Sequence, residues 1–154
     1  MYLFKKILNK LITNNISIST AESCTGGLLA HSFVKNKNSS KVFKGGYIAY
    51  SNELKINDLN VKSLLLKKYG AVSSQIAEEM IKGLYKKNRT NICIATTGIA
   101  GPDGASKNKP VGLVYIGIRI NNKNIVLKKN FKGTRLQIQK SCVHFIFKYL
   151  DKLI

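Results

Sequence analysis

The sequence predicts an α/β fold, a three-layer α/β/α sandwich whose sheet is mixed and partly antiparallel. Helical and strand periodicities alternate along the chain, which is typical of a sheet covered by helices on both faces. Two late strand patterns flank a short polar segment, which indicates an antiparallel hairpin. With 154 residues, of which 44% are hydrophobic, the chain has the usual size of one domain with one core. We therefore expect a single domain over residues 1–154.

The first half of the chain is predicted to form a helix, a strand–loop–helix unit and a second strand. Residues 2–14 place apolar side chains at helical spacing, with lysines on the other side. Residues 16–20 alternate with period two, which predicts a strand with one apolar face, and residues 28–33 resume the helical spacing. Residues 45–51 are predicted to form a short strand, after which Asn52 caps a helix.

The second half of the chain is predicted to contain three helices, a buried strand and the hairpin. The helices cover residues 61–68, 73–87 and 134–153. Residues 91–97 are largely apolar, as expected of a buried central strand. The hairpin strands, residues 111–120 and 125–131, flank a run of polar residues at 121–124. The last helix is expected to face inward with Ile138, Cys142, Phe145 and Tyr149.

The charge balance is strongly basic. Lys and Arg total 26 against seven acids, so the formal net charge is +19, which normally suggests a polyanion partner. However, 23 of these cations are lysines scattered over every segment, and only Arg89, Arg119 and Arg135 are arginines, the residue type that base readout favours. We therefore expect no specific nucleic-acid partner, with nucleic-acid binding as the minority alternative. The positive field should still attract a small anionic substrate.

Cysteine usage and hydropathy bear on location and metal content. No apolar run is long enough to span a bilayer, and lysines interrupt the N-terminus before a signal-peptide core could form. We therefore expect a cytoplasmic protein without a membrane partner.

Cys24, Cys93 and Cys142 fit neither a disulfide framework nor a zinc site, and the last two are expected in the core. His31 and His144 are not expected to be metal ligands, and no metal site is predicted.

Three loops that follow predicted strands are candidates for a functional site, because ligands of such sheets bind at strand ends. The first, residues 21–27, places a hydroxyl and a thiol at a helix N-terminus, where free amides can stabilise an oxyanion. Taken alone, this loop favours Ser23 or Thr25 as a simple N-cap. Cys24 is a competing nucleophile, because a helix N-terminus lowers the pKa of a thiol.

The second loop, residues 50–55, carries a candidate base. Lys55 is predicted in the first turn of a helix, where the dipole disfavours a cation and lowers the pKa of the amine. A Ser–Lys pair is a known alternative to the Ser–His–Asp triad. From position alone a solvated lysine is the favoured interpretation, because the neighbouring Glu53 would offset the lowering of the pKa.

The third loop, residues 97–112, is rich in glycine and contains both prolines. Its glycines allow consecutive backbone N–H groups to face an anion. Asp103 is equally consistent with a ligand contact and with a plain turn. Arg135, at the start of the last helix, is the best single candidate for a bidentate phosphate contact.

Five motifs in this order resemble the CinA C-terminal-domain family, the nicotinamide-nucleotide amidases. They are TAESCTGG at 20–27, GGYIAYSNELK at 45–55, GAVS at 70–73, TGIAGPDG at 97–104 and KPVG at 109–112. The resemblance implies hydrolysis of the carboxamide of nicotinamide mononucleotide to nicotinate mononucleotide and ammonia, without a metal or cofactor. It also implies a stand-alone amidase domain that forms a homodimer.

The resemblance also implies roles for individual residues. The family's serine nucleophile falls on Ser23 and its lysine base on Lys55, with Tyr50 nearby as a third catalytic residue. The expected substrate-binding residues are Cys24, Thr25, Gly26, Gly27, Thr97, Gly98, Gly101, Asp103, Gly104, Lys109 and Arg135. Ala105 departs from the family, which often has a second glycine there. Two alternatives remain: a non-enzymatic nucleotide- or nucleic-acid-binding module, and an amidase acting on another nucleotide amide.

Overall fold

The structure, a computed structural model, describes residues 2–154 and confirms the predicted α/β class. A short 3₁₀ turn, Ser39–Lys41, precedes the second strand. The strands are β1 (Ile18–Glu22), β2 (Phe43–Ile48), β3 (Ile92–Gly98), β4 (Leu113–Ile120) and β5 (Lys123–Asn130). The helices are α1 (Tyr2–Thr13), α2 (Leu28–Val34), α3 (Asn52–Leu59), α4 (Ser63–Tyr69), α5 (Ser74–Asn88) and α6 (Arg135–Leu153).

The five strands form one mixed sheet in the order β2-β1-β3-β4-β5. Strands β2, β1 and β3 are parallel, whereas β4 is antiparallel to both of its neighbours. The register pairs Glu22, the last residue of β1, with Thr96 near the end of β3 and with Ile48 at the end of β2. The loops that follow these three strands therefore leave the sheet side by side.

Helices cover both faces of the sheet, so the molecule has the expected three layers. On one face α1, α2 and α6 bury residues such as Leu11, Phe33 and Ile146 against the sheet. On the other face α3, α4 and α5 bury residues such as Leu59 and Met80. Burying large aliphatic side chains of this kind contributes roughly 1.5–3 kcal/mol each to folding.

The inner face of α6 differs in part from the prediction. Ile138 and Cys142 are fully buried as expected, but Phe145 and Tyr149 are only half-buried at the margin of the core. The remaining buried residues of this helix are Val143, Ile146, Phe147 and Leu150.

Strand β1 lies two residues further along the chain than predicted, and it is buried on both faces. The predicted single apolar face is wrong because β1 is the central parallel strand, between β2 and β3. Ser19 is hydrogen-bonded in the interior, where its hydroxyl lies 2.6 Å from the Thr90 hydroxyl. At this position the period-two alternation therefore reflects a satisfied interior hydroxyl rather than a solvent face.

The predicted hairpin is present, with a tighter turn than expected. Only Asn121 and Asn122 form the loop, with positive φ values of 51° and 61°. Two consecutive residues in the left-handed region are the requirement of a type I′ turn, which asparagine tolerates better than most residues. Lys123 and Asn124, expected in the loop, begin β5.

Candidate active site

The loops after β1, β2 and β3 enclose a cavity of about 330 Å³ at the carboxyl end of the parallel strands. Residues from all three predicted loops line it, together with the start of α6. The predicted site residues in its wall are Ser23, Cys24, Tyr50, Lys55, Thr97, Gly98, Gly101, Asp103, Gly104 and Arg135. The structure thus brings together segments that are far apart in the sequence.

A serine and a lysine meet at the floor of this cavity. The Nζ atom of Lys55 lies 3.1 Å from the Oγ atom of Ser23. Both residues are buried, Lys55 with 1% of its surface exposed and Ser23 with 7%. The solvated lysine that position alone favoured is therefore wrong, because α3 turns this side chain inward beneath the loop.

Helix α3 holds Lys55 at a defined place. Its N-cap is Ser51, whose hydroxyl accepts a hydrogen bond from the Leu54 amide at 3.1 Å. The predicted cap, Asn52, is instead the first helical residue and lines the cavity. Lys55 follows within the first turn, and its amide donates to the Ser51 carbonyl.

The surroundings of Lys55 favour its neutral form. Burial lowers the pKa of its amine, because a charged group loses its hydration there. Its side chain forms no ion pair with any of residues 2–154. Glu53, expected to offset the lowering of the pKa, is exposed and does not reach the amine. Among residues 2–154, the only other hydrogen bond of the amine goes to the Tyr50 carbonyl, at 3.2 Å.

Glu22, which the sequence analysis did not identify, holds the loop that carries Ser23. Its carboxylate is 1% exposed and accepts the Thr25 hydroxyl at 2.6 Å and the amides of Gly27, Leu29 and Ala30 at 3.0, 3.0 and 2.7 Å. This carboxylate satisfies the free amides at the start of α2. Its sequence signal was an acid at the end of a strand directly before a helix.

The predicted N-cap of α2 is therefore wrong. Gly27 occupies the cap position without a side-chain hydrogen bond, and Glu22 replaces the cap from five residues upstream. The Thr25 hydroxyl is used by Glu22 and by the Thr96 hydroxyl. The Ser23 hydroxyl is thereby left for Lys55.

The amides of this loop divide into two groups. Those of Gly26 and Gly27 are occupied, the first by the Ser23 carbonyl and the second by Glu22. Within residues 2–154, the amides of Cys24 and Thr25 donate no hydrogen bond. Contrary to the prediction, Thr25, Gly26 and Gly27 do not line the cavity. They shape the loop instead.

Cys24 does not have the environment of an activated thiol. Burial raises its pKa to about 12, whereas the sequence had suggested a lowered value. The dipole at the start of α2 is already neutralised by Glu22, so the thiol gains little from it. Cys93 and Cys142 are buried in the core, as predicted.

Arg135 bridges the two sides of the cavity mouth. Its guanidinium donates to the Gly101 carbonyl at 2.7 Å and to the Tyr50 hydroxyl at 2.9 Å. The Tyr50 side chain is 58% exposed and contacts Arg135, so only its carbonyl touches Lys55. Tyr50 therefore reaches the Ser–Lys pair through its backbone, and a catalytic role for its phenol stays a prediction.

The glycine-rich loop is fixed by two contacts to the segment before α5. The Thr97 hydroxyl donates to the Ala71 carbonyl at 2.7 Å. Lys109 donates to the Tyr69 carbonyl at 2.7 Å, and it lies outside the cavity wall, in contrast to its predicted role in substrate binding.

The cavity wall also includes residues that the predicted site did not contain, Asn52, Ala71, Val72, Ile99 and Ala100. Apart from Asn52, they are apolar and carry no chemical signal in the sequence.

No group of three or more His, Cys, Asp or Glu side chains in residues 2–154 could hold a metal ion. No helix in the same range is long and apolar enough to cross a bilayer.

The fold and the site define a class of protein: a three-layer α/β domain with a buried Ser–Lys pair at the carboxyl ends of parallel strands. A family model described as the CinA C-terminal domain matches residues 2–154. The chain belongs to this family, as the sequence motifs had indicated.

Curated relatives carry the same domain in a longer chain. A competence-damage inducible protein of Clostridium botulinum strain Langeland is 52% identical over 137 residues, 89% of this chain and 34% of its own. The corresponding protein of Clostridium acetobutylicum is 46% identical over 144 residues, 94% of this chain and 35% of its own. The chain thus spans about a third of the length of these relatives.

Solved structures share the fold over almost the whole chain. A CinA superfamily protein from Escherichia coli superposes with a TM-score of 0.94 at 30% identity, covering 99% of this chain and 88% of its own. The competence/damage inducible protein CihA from Agrobacterium tumefaciens gives a TM-score of 0.94 at 35% identity, covering 99% and 93%. These structures support the three-layer architecture.

Proposed function

We propose that this domain hydrolyses the carboxamide of nicotinamide mononucleotide, with Ser23 as nucleophile and Lys55 as general base. The observation that carries the proposal is the buried amine of Lys55, 3.1 Å from the Ser23 hydroxyl in the wall of a cavity. A buried lysine without a counter-ion destabilises a fold, but its amine is well suited to proton transfer.

The geometry suggests how the proton moves. A neutral lysine amine has two N–H groups and one lone pair. The Tyr50 carbonyl accepts one N–H, which turns the lone pair toward Ser23. Lys55 takes the hydroxyl proton as the serine oxygen bonds to the amide carbon, and the carbonyl oxygen becomes an oxyanion. Within residues 2–154 the amide of Cys24, a residue of the cavity wall, donates no hydrogen bond, and it is the candidate donor to that oxyanion.

The remaining steps return the site to its starting state. The C–N bond breaks as Lys55 gives its proton to the leaving nitrogen, releasing ammonia and leaving an ester on Ser23. Water then attacks the ester while Lys55 accepts a proton from it, and the proton returns to Ser23 as nicotinate mononucleotide leaves. The scheme is a Ser–Lys version of acyl transfer.

The far side of the cavity suits a phosphate. Arg135 lies at the mouth with its guanidinium between Gly101 and Tyr50. The amides of Ala100, Gly101 and Gly104 donate no hydrogen bond within residues 2–154. An anion there would gain an arginine and several N–H donors.

An ammonia-release assay tests the proposal. The purified chain is incubated with nicotinamide mononucleotide, and parallel reactions contain nicotinamide or nicotinamide riboside. We expect ammonia from the mononucleotide, and much less from the two compounds that lack a phosphate. Equal rates on all three would contradict the phosphate site. No release from any of them, with release from another nucleotide amide, would replace the substrate but keep the chemistry.

A further inference from the structure

A second cluster of cations lies at the opposite end of the sheet from Ser23. Arg89 ends α5 just before β3, and Arg119 lies on β4, paired with Cys93 near the start of β3. Strand β3 has seven residues, so this cluster is about 20 Å from the carboxyl ends of the parallel strands. Two of the three arginines of the chain are therefore gathered at one place remote from the proposed active site.

Tyr85 holds the two arginines together. The Cζ atom of Arg119 lies 4.0 Å from the centre of its ring, and the Cζ atom of Arg89 lies 5.0 Å from it. Both distances are within the range of cation–π contacts. The Arg119 guanidinium also donates to Asn124 Oδ1 at 3.0 Å and to Asn122 Oδ1 at 3.5 Å. The side chain of Arg119 is thus oriented before any ligand arrives.

The two guanidinium groups have no counter-ion in the part of the chain that the structure describes. Within residues 2–154 neither arginine forms an ion pair, although Glu78 and Glu79 lie on the same helix as Tyr85. Both carboxylates contact Lys82 instead, at 3.2 and 3.7 Å. Two neighbouring cations without a carboxylate repel each other, and an anion between them would relieve the repulsion.

The cluster lies in a concave surface. Two adjoining cavities of about 420 and 270 Å³ share Tyr85, Arg89 and Arg119 in their walls. Lys62 and Lys86 add positive charge to the larger cavity, whose wall also contains Glu79. Asn91, Asn121 and Asn122 add amide groups to the smaller one. This groove can enclose a small ligand.

The backbone at Arg89 gives an independent indication. Arg89 occupies the C-cap of α5 with a φ of 50°, a left-handed position where glycine or asparagine is preferred. The neighbouring caps follow this preference, as Asn60 shows at the end of α3. An arginine at this position is conformationally unfavourable. Because such strained positions cluster at functional sites, we infer that the guanidinium of Arg89 has a function.

We propose that the groove of Tyr85, Arg89 and Arg119 is a second anion site, which binds a small ligand through a phosphate or diphosphate group. Guanidinium groups match phosphate oxygens in pairs, and two of them flanking one ring fit adjacent phosphates. The inference does not depend on the proposed amidase activity, because none of its residues lines the cavity that contains Ser23.

Titration with inorganic pyrophosphate tests the proposal. Amide shifts in a ¹⁵N–¹H correlation spectrum assign binding to a place, and calorimetry gives the affinity. We expect saturable shifts at Arg89, Asn91 and Arg119, separate from any at residues 98–104. Pyrophosphate should bind at least about tenfold more tightly than inorganic phosphate, since it engages both guanidinium groups.

Matched variants distinguish a specific anion site from general attraction by positive charge. Arg119→Gln and Arg89→Gln should each weaken the binding of pyrophosphate at the groove by about tenfold or more. Lys148→Gln, which removes one exposed charge from α6, should change it less than twofold. A lysine variant as harmful as the arginine variants would overturn the proposal, as would shifts confined to residues 98–104.

Two further measurements test the role of the guanidinium group and the class of ligand. Arg119→Lys keeps the charge and is expected to fold normally by thermal melting, yet it should lose most of the preference for pyrophosphate over phosphate. Unchanged selectivity would contradict the role of the guanidinium. A single-stranded oligonucleotide that binds the groove 100-fold more tightly than pyrophosphate at about 150 mM salt would replace the small ligand with a nucleic acid.

Discussion

Ser23 and Cys24 are adjacent in the sequence, and their chemical environments differ sharply. The Ser23 hydroxyl contacts the Lys55 amine, whereas burial raises the pKa of the Cys24 thiol to about 12. A thiol with that pKa is almost entirely protonated at neutral pH, and the protonated form is a poor nucleophile.

We predict that Ser23→Ala lowers the turnover of nicotinamide mononucleotide by at least about three orders of magnitude while substrate binding stays measurable. Cys24→Ala should keep most of the activity. Steady-state ammonia release and equilibrium binding check both expectations. Rapid inactivation by a thiol alkylator, prevented by substrate, would move the nucleophile to Cys24.

Lys55 must be neutral to act as a base, so its replacement by another cation should not restore activity. Lys55→Arg is predicted to be nearly as inactive as Lys55→Ala, because a guanidinium does not give up a proton. In the native protein kcat/KM should rise with pH as Lys55 loses its proton. Because burial lowers its pKa, this rise should lie below the ordinary value of 10.5. Substantial activity in Lys55→Arg would disprove the role of Lys55 as base.

The same lysine should lower the stability of the fold. Its pKa is lowered in the folded state, so the unfolded chain binds more protons between the folded and the unfolded pKa values, and stability rises with pH across that window. Lys55→Met removes this penalty and should stabilise the protein by about 1 kcal/mol at pH 7, with no activity.

The stabilising effect of Lys55→Met should shrink as the pH approaches the ordinary lysine pKa. Urea unfolding at several pH values measures it. Lys67→Met, which replaces an exposed lysine of α4, is the control and should show no such pH dependence. A methionine variant that is less stable at every pH would mean that the hydrogen bonds of Lys55 outweigh its burial.

The sequence predicts the helices and strands well and their ends less well. The hydrophobic periodicity of α1 and the apolar run of β3 depend on local pattern, and both predictions are confirmed. The displacement of β1 has a different cause. Its place between β2 and β3 is a tertiary property, and its alternating polar residues, such as the hydrogen-bonded Ser19, imitate a solvent-facing strand.

The site shows the same division between local and tertiary information. Small and polar residues predict the three loops, but position alone favours a solvated Lys55. Its partner Ser23 lies 32 residues away in the sequence, and their contact follows from the pairing of β1 with β2. The capping role of Glu22 was also missed, because it acts from a strand on amides five to eight residues further on.

Glu22 couples the start of α2 to the loop of Ser23, so its replacement should affect both stability and activity. The Glu22 carboxylate accepts hydrogen bonds from four donors. In Glu22→Gln, the side-chain N–H₂ group must face at least one of these donors, and that hydrogen bond is lost. We predict a loss of about 2–3 kcal/mol in the free energy of unfolding. The turnover should also fall, because Ser23 and the adjacent amides shift.

Urea unfolding and ammonia release together check the effect of Glu22→Gln. The matched control is Glu53→Gln, which changes an exposed carboxylate and should alter stability by less than about 0.5 kcal/mol. If the two variants proved equally stable, the carboxylate of Glu22 would not hold the loop as the hydrogen bonds indicate.

The direction of the strands divides the surface of the molecule into two chemically different ends. The loops after β1, β2 and β3 form the cavity with the Ser–Lys pair. Helix α5, strand β4 and the turns before β3 and after β4 line the groove of Tyr85, Arg89 and Arg119. Each end concentrates specific donors on a rigid sheet. The remaining lysines are dispersed, so the net charge of +19 creates a broad positive field rather than one patch.

This dispersion predicts weak and salt-sensitive binding to nucleic acid. Duplex binding through scattered lysines gains its free energy from counter-ion release, which falls steeply with salt. The scarcity of arginine leaves little base-specific or bidentate contact to replace it. We predict measurable binding of random duplex DNA at about 20 mM salt and a Kd weaker than about 100 μM at about 150 mM, as fluorescence anisotropy would show.

Two duplexes of unrelated sequence should give the same binding curve. Sub-micromolar, sequence-selective binding at the higher salt would show that the positive charge serves nucleic-acid recognition, and the non-enzymatic binding module would then become the stronger interpretation of the chain.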